Sequence, residues 1–148
     1  MTRMIRRKFN LKSERGAALV EFALVVPFLM LIMCATIDFG LAVYTLANLT
    51  AAVREGGRFA ASRNPAPVAN DSTVKAKVYN YIAGMNNGNT PAQNQALISV
   101  TNPDPTTGII TVKITGYPYK PVTPLSPLLG IPAIYLNRTA IFRWEMGS

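Results

Sequence analysis

The groups that could do chemistry in this chain are few: three aspartates, four glutamates, a single thiol at Cys34 and no histidine. Without an imidazole there is no Ser-His-Asp or Cys-His nucleophile pair and no histidine-ligated zinc, and one thiol cannot close an internal disulfide. The carboxylates are scattered along the sequence, with no close pair placed for general acid and base work. No catalytic residue, metal or cofactor is therefore expected, and the chain does not read as an enzyme. The carboxylate in the least ordinary setting is Glu21, just inside the apolar part of "SERGAALVEFALVVPFLMLIMCATIDFG", residues 13–40. An unpaired carboxylate in an apolar medium costs several kcal/mol or stays protonated, so its placement asks for a partner.

The element that carries Glu21 is the apolar run itself. From Phe22 to Ala47 the only formally charged residue is Asp38, and Pro27 is the only strong helix breaker. Apolar residues fall all round this helix and not along one stripe, which suits lipid better than the core of a small soluble domain. The residues from Ala17 to Ile37 would span roughly 32 Å as a helix, close to the hydrocarbon thickness of a bilayer. Asp38 then falls at the far interface, which favours an interfacial carboxylate over a buried acid that binds a partner. Pro27 either kinks this helix or loosens its hydrogen bonds, which membrane helices tolerate.

The net charge of +8 is unevenly spread: Arg3, Arg6, Arg7, Lys8, Lys12 and Arg15 precede residue 16, opposed only by Glu14. A basic arm abutting an apolar segment is a topology signal, placing the N-terminus in the cytoplasm and everything after about residue 40 on the other side of the membrane. The arm lacks interleaved aromatics for base stacking, so no nucleic-acid partner is expected. The apolar run is too long for an ordinary secretory signal, and no A-x-A site with a polar flank follows it. "LIMC" at 31–34 also fails as a lipidation site, because Met33 stands where a small residue belongs.

"RGAALVEF" resembles the processing site of type IV prepilins: a basic leader ending in glycine, cleavage after it, and a glutamate at the fifth mature position. By that resemblance the leader is residues 1–16, cleavage falls between Gly16 and Ala17, and Arg15, Glu21 and Phe22 are the residues recognised in processing and assembly. Phe22 directly after the glutamate is similar to the Flp subgroup. Cleavage would create an ammonium on Ala17, and residues four apart share a helix face, so Glu21 can meet that ammonium or a neighbouring subunit's. Such a pair would report correct register between subunits.

The likeness runs further. "RGAALVEFALVVPFLMLIMCATIDFG" followed by "LTAAVREGGRFAA" resembles the TadE-like family through Arg15, Gly16, Glu21, Phe22, Pro27, Asp38, Phe39, Gly40, Arg54, Gly56 or Gly57, Arg58 and Ala60. "GYPYKPVTPLSPLLGIP" is similar to the aromatic-proline region such proteins place before a last strand. The resemblance implies a minor pilin, or pseudopilin, of the Tad (tight adherence, Flp) pilus, processed by a prepilin peptidase. It also implies partners among other Tad minor pilins, the major Flp pilin and the inner-membrane assembly platform. The helix positions Pro27, Asp38, Gly40, Arg54, Gly56, Gly57 and Arg58 would then serve packing or interfaces. A signal-anchored envelope protein with an interaction domain, unprocessed at Gly16, is the alternative reading.

The remaining residues predict an α+β fold. A membrane helix over 17–45 would continue into a small head, residues 46–148, of helices on a three-stranded antiparallel sheet, a pilin-like arrangement. Leu46, Leu49, Val53 and Ala60 share a helix face over 46–62. Gly56 and Gly57 within it either end the helix or admit another element very close, and the helix-friendly residues that follow favour close approach. A second helix is expected over 72–83, capped by Asp71 or Ser72, with Val74, Val78 and Ile82 inward. "MNNGNTPAQNQ" reads as a flexible loop. Strands are expected in "ALISVT", in "IITVKIT" and from Ile134 to Trp144, the first two joined by the turn "NPDPTTG". From Tyr117 to Pro132, prolines at 118, 121, 124 and 127 match the polyproline II period. That segment is either a rigid crossover on its own domain or a docking ridge formed by Leu125, Leu128, Leu129 and Ile131.

Overall fold

The computed structural model describes residues 14–63, 66–85, 87–124, 130 and 133–144, with side chains from residue 16 onward. Its first element, α1 (Glu14–Ala61), is one continuous helix of 48 residues that passes through Pro27 and shows no break between the apolar run and the head. The apolar stretch is long enough to cross a membrane, and its most apolar part is not buried by the other described residues. Leu19, Phe22, Phe28, Ile32 and Phe39 all point outward.

The second half of α1 changes partner from solvent or lipid to protein. Leu49, Ala52, Val53 and Ala60 are buried, at the spacing that lines one helix face. They meet α2 (Ser72–Ile82), whose Val74, Val78 and Ile82 are fully buried. Asp71 caps α2, its carboxylate accepting from the backbone N–H groups of Thr73 at 2.9 Å and Val74 at 3.2 Å. Just before it, Asn70 adopts a left-handed backbone (φ 56°), which asparagine tolerates, and its N–H donates to the Val100 carbonyl at 2.8 Å.

Both helices lie on one face of an antiparallel sheet ordered β1-β2-β3, built from β1 (Ile98–Val100), β2 (Ile109–Tyr119) and β3 (Ile134–Arg143). Ile98, Val100, Ile110, Val112, Ile114 and Ala140 supply its buried side. The α+β architecture thus matches the sequence expectation. In the β1–β2 turn, the Asp104 carboxylate accepts from the N–H groups of Thr106 and Thr107, both at 2.8 Å.

Two segments differ from that expectation. The stretch read as a flexible loop contains a short helix, α3 (Pro91–Ala96), closed by a reciprocal capping box between Thr90 and Gln93. Asn94 of this helix and Asn87 before it are buried, with the Asn87 amide donating to the Asn94 side-chain oxygen at 2.7 Å. Paired in this way, two buried amides satisfy one another, and the segment is fixed by hydrogen bonds where it lacks apolar residues.

Secondly, β2 continues through Tyr117, Pro118 and Tyr119, which pair with Leu136, Tyr135 and Ile134, so the start of the expected polyproline segment is strand. A bulge between Ile114 and Tyr117 shifts the inward parity of β2 from even to odd positions, and Tyr117 and Tyr119 become buried. Gly116 makes the bend at φ 71°, its N–H donating to the Asn137 side chain at 2.7 Å. Pro118 is tolerated because β1 pairs only as far as Ile114, which leaves β2 with one neighbour beyond that point.

Candidate functional site

The residues singled out from the sequence fall into three groups along α1. At the start of α1, Gly16, Ala17, Glu21 and Phe22 are exposed, and a Cβ at Gly16 would meet no other described residue. Ala17 and Glu21 stand one helical turn apart, as the spacing requires. Pro27 and Gly40 are likewise exposed, and a Cβ at Gly40 would touch nothing within 4 Å. Nothing among the described residues therefore demands small size at Gly40.

Asp38 forms the second group. Its carboxylate accepts from the Val122 N–H at 2.9 Å, from the Thr123 N–H at 3.1 Å and from the Thr123 hydroxyl. The Tyr119 phenol donates to the Asp38 backbone carbonyl at 2.7 Å. The residue at the end of the apolar run is thus a clamp that holds the chain leaving β2 against the helix. Asp38 is more than the interfacial carboxylate its position suggested: it receives protein donors from residues more than eighty positions away. Those partners carry no sequence signature, since two of the three donors to its carboxylate are backbone amides.

The third group lies in the head. A Cβ at Gly56 would collide with Val78 of α2, and one at Gly57 with the ring of Phe142 on β3. Neither glycine ends the helix; they let α1 lie against both layers at once. Arg54 is exposed. Arg58 is exposed too and pairs with Glu55 at 2.7 Å, which raises its already high pKa through that hydrogen bond. Glu55 also lies 3.9 Å from Lys77 of α2. The possible docking ridge of Leu125, Leu128, Leu129 and Ile131 lies outside the described residues.

Several contacts that fix the head on α1 escaped the sequence reading. The Arg138 guanidinium donates to the Thr50 hydroxyl at 3.1 Å, tying β3 to the helix. Trp144 donates its indole N–H to the Arg63 carbonyl at 2.9 Å, past the C-terminal end of α1. Arg63 lies over the Phe59 ring at 5.8 Å and bonds Asp71 at 2.7 Å. Burial pulls the Asp71 carboxyl up, but the hydrogen bonds from Thr73 and Val74, with the Arg63 charge, hold it below the ordinary value. A depressed folded pKa contributes stability that is fully present above the unfolded value of about 3.9 and lost as pH falls through the folded one. Asp71→Asn, which keeps a capping oxygen, should lower the thermal midpoint of the full chain in detergent at pH 7, with the gap to wild type narrowing as pH falls below the ordinary carboxylate range. A gap that stays constant with pH would mean the charge at Asp71 does not matter.

Among the described residues no cluster of His, Cys, Asp or Glu could hold a metal ion. Comparison with curated proteins and with solved structures found no match. A family model described as TadE-like protein does match, over residues 16–58. That segment lies within α1 and holds Gly16, Glu21, Asp38 and the glycine pair, so the similarity falls on the helix and not on the sheet.

Proposed function

We propose that this chain is a minor pilin, or pseudopilin, of a Tad (Flp) pilus, anchored in the bacterial inner membrane by α1 and working in assembly, not catalysis. The observation that carries this reading is the TadE-like match on a helix whose large apolar side chains, such as Leu19, Phe28 and Phe39, are left exposed among the described residues. A lone helix of that character is served by lipid before assembly and by neighbouring helices afterwards. In this reading residues 1–16 are removed by a prepilin peptidase after Gly16, and Glu21 meets the new ammonium of Ala17 on the same or an adjacent subunit. The basic arm keeps the N-terminus cytoplasmic and the head periplasmic. The lack of any histidine leaves the head without the usual proton-transfer group.

The experiment is the mass of the N-terminal peptide from cells with and without the prepilin peptidase. A peptide beginning at Ala17, found only with the peptidase, is the expected result. A Met1 start in cells whose peptidase processes other substrates would leave a signal-anchored envelope protein instead. Glu21→Ala is expected to leave membrane insertion intact while reducing pilus formation. Normal piliation in that mutant would remove the register role of the carboxylate.

A further inference from the structure

Between α1, the end of α2 and the end of β2 lies a groove of about 380 Å³. Four tyrosines line it, namely Tyr44, Tyr81, Tyr117 and Tyr119; among the described residues Lys120 is the single charged one of its wall, and none of that lining is a carboxylate. Tyr44, Tyr81 and Lys120 are exposed and available to a ligand. The Tyr117 hydroxyl is the one buried side-chain polar atom that finds no hydrogen-bond partner among the described residues. That hydroxyl is shut off behind the wall, so the exposed Tyr44, Tyr81 and Lys120 are the groups a ligand reaches.

The position of the groove narrows the ligand. Its α1 wall runs from Leu41 to Asn48, so it begins about 4–5 Å beyond Asp38 along the helix and ends about 15 Å beyond it. With Asp38 at the edge of the hydrocarbon, the lower part of the groove falls within the headgroup layer, roughly 5–8 Å deep on each side of a bilayer. Tyrosine rings favour that depth. The residues that follow β2 descend beside α1 to reach Asp38, which brings Lys120 to the same level.

We propose that this groove is a binding site for the headgroup of an anionic phospholipid. The Lys120 ammonium faces the phosphate, and the Tyr44 and Tyr81 phenols with the Asn48 amide are neutral donors around it. The acyl chains run down past Leu41 onto the uncovered apolar surface of α1. A free phosphate compound would match the donors but not the apolar lip or the depth, so the lipid is the favoured source. The inference rests on α1 crossing a bilayer, as the proposed function also requires.

The test reconstitutes the full chain in nanodiscs of phosphatidylcholine with a minor share of phosphatidylglycerol, then counts the lipids retained on gentle transfer to detergent. One lysine near a headgroup contributes about 1 kcal/mol, so phosphatidylglycerol should be enriched about fivefold over its bulk share. Lys120→Gln should bring retention back to the bulk ratio, and this exposed position leaves the thermal midpoint unchanged. Failure of the chain to enter nanodiscs would sink the membrane reading itself. A chain that inserts but shows no enrichment, or enriches equally as Lys120→Gln, would overturn the headgroup site. Displacement of the retained lipid by soluble glycerol phosphate at matched concentration would overturn the lipid as its ligand.

Discussion

Asp38→Ala is expected to free residues 119–123 from α1 while the core of the head stays folded. The substitution leaves the Val122 and Thr123 amides and the Thr123 hydroxyl without their acceptor. Hydrogen bonds to a charged group contribute about 1.5–3 kcal/mol each when sheltered. Asp38 is half-exposed, so water takes over part of the work, and a local loss of about 1–3 kcal/mol is the expected size. Amide exchange reads this directly: Val122 and Thr123 should lose protection by roughly 10- to 100-fold. Val112 and Ile114, buried in the central strand, should hold theirs. Asp38→Asn, which keeps one acceptor oxygen, should fall between the two. Unchanged protection at Val122 and Thr123 in the alanine variant would show that the descending segment is held by other contacts. Processing at Gly16 should proceed normally in both variants, because Asp38 lies more than five helical turns away from it.

Gly56→Ala should have the largest effect on the head. The added methyl would take the place of a Val78 methyl, and Val78 is fully buried on the facing helix. A β-branched side chain in a helix has one strongly preferred rotamer, so Val78 cannot swing aside and the two helices must part. Overpacking of this kind costs about 1–3 kcal/mol, against up to about 1 kcal/mol gained by replacing a helical glycine. The net loss should lower the thermal midpoint by about 4–8 °C per kcal/mol for a head of this size. Gly57→Ala should cost less, since the Phe142 ring it meets is only half-buried and can turn outward. Gly40→Ala is the control, with no neighbour to meet among the described residues. A larger loss for Gly57→Ala than for Gly56→Ala would make the sheet contact, and not the α2 contact, the tighter one.

What could be read from the sequence follows from which interactions are local. The apolar run of α1, the Asp71 cap with Val74, Val78 and Ile82, and the alternation of Ile110, Val112 and Ile114 are each written within a few residues. The capping box of Thr90 and Gln93 is equally local, yet it sits in a segment so rich in asparagine and glycine that composition argued for a loop. The extension of β2 was hidden by Pro118, which is disfavoured in a strand with two neighbours and harmless where β1 has already ended. The Asp38 clamp was out of reach for a different reason: its acceptor is visible in the sequence, but its donors are mostly main chain and join through tertiary structure alone.

The absence of any break in α1 has a mechanical consequence. The head is fastened to one rod near both ends of its second half, by Asp38 at the end of the apolar stretch and by Gly56 against Val78 farther along. From Asp38 to Ala61 that rod runs about 35 Å, so a tilt of about 10° would carry its tip sideways by about 6 Å. With no hinge to absorb the rotation, torque on the buried half would reach the head undiminished. A pull that draws the helix out of the bilayer would lift the head by the same distance, as a weight on a mast.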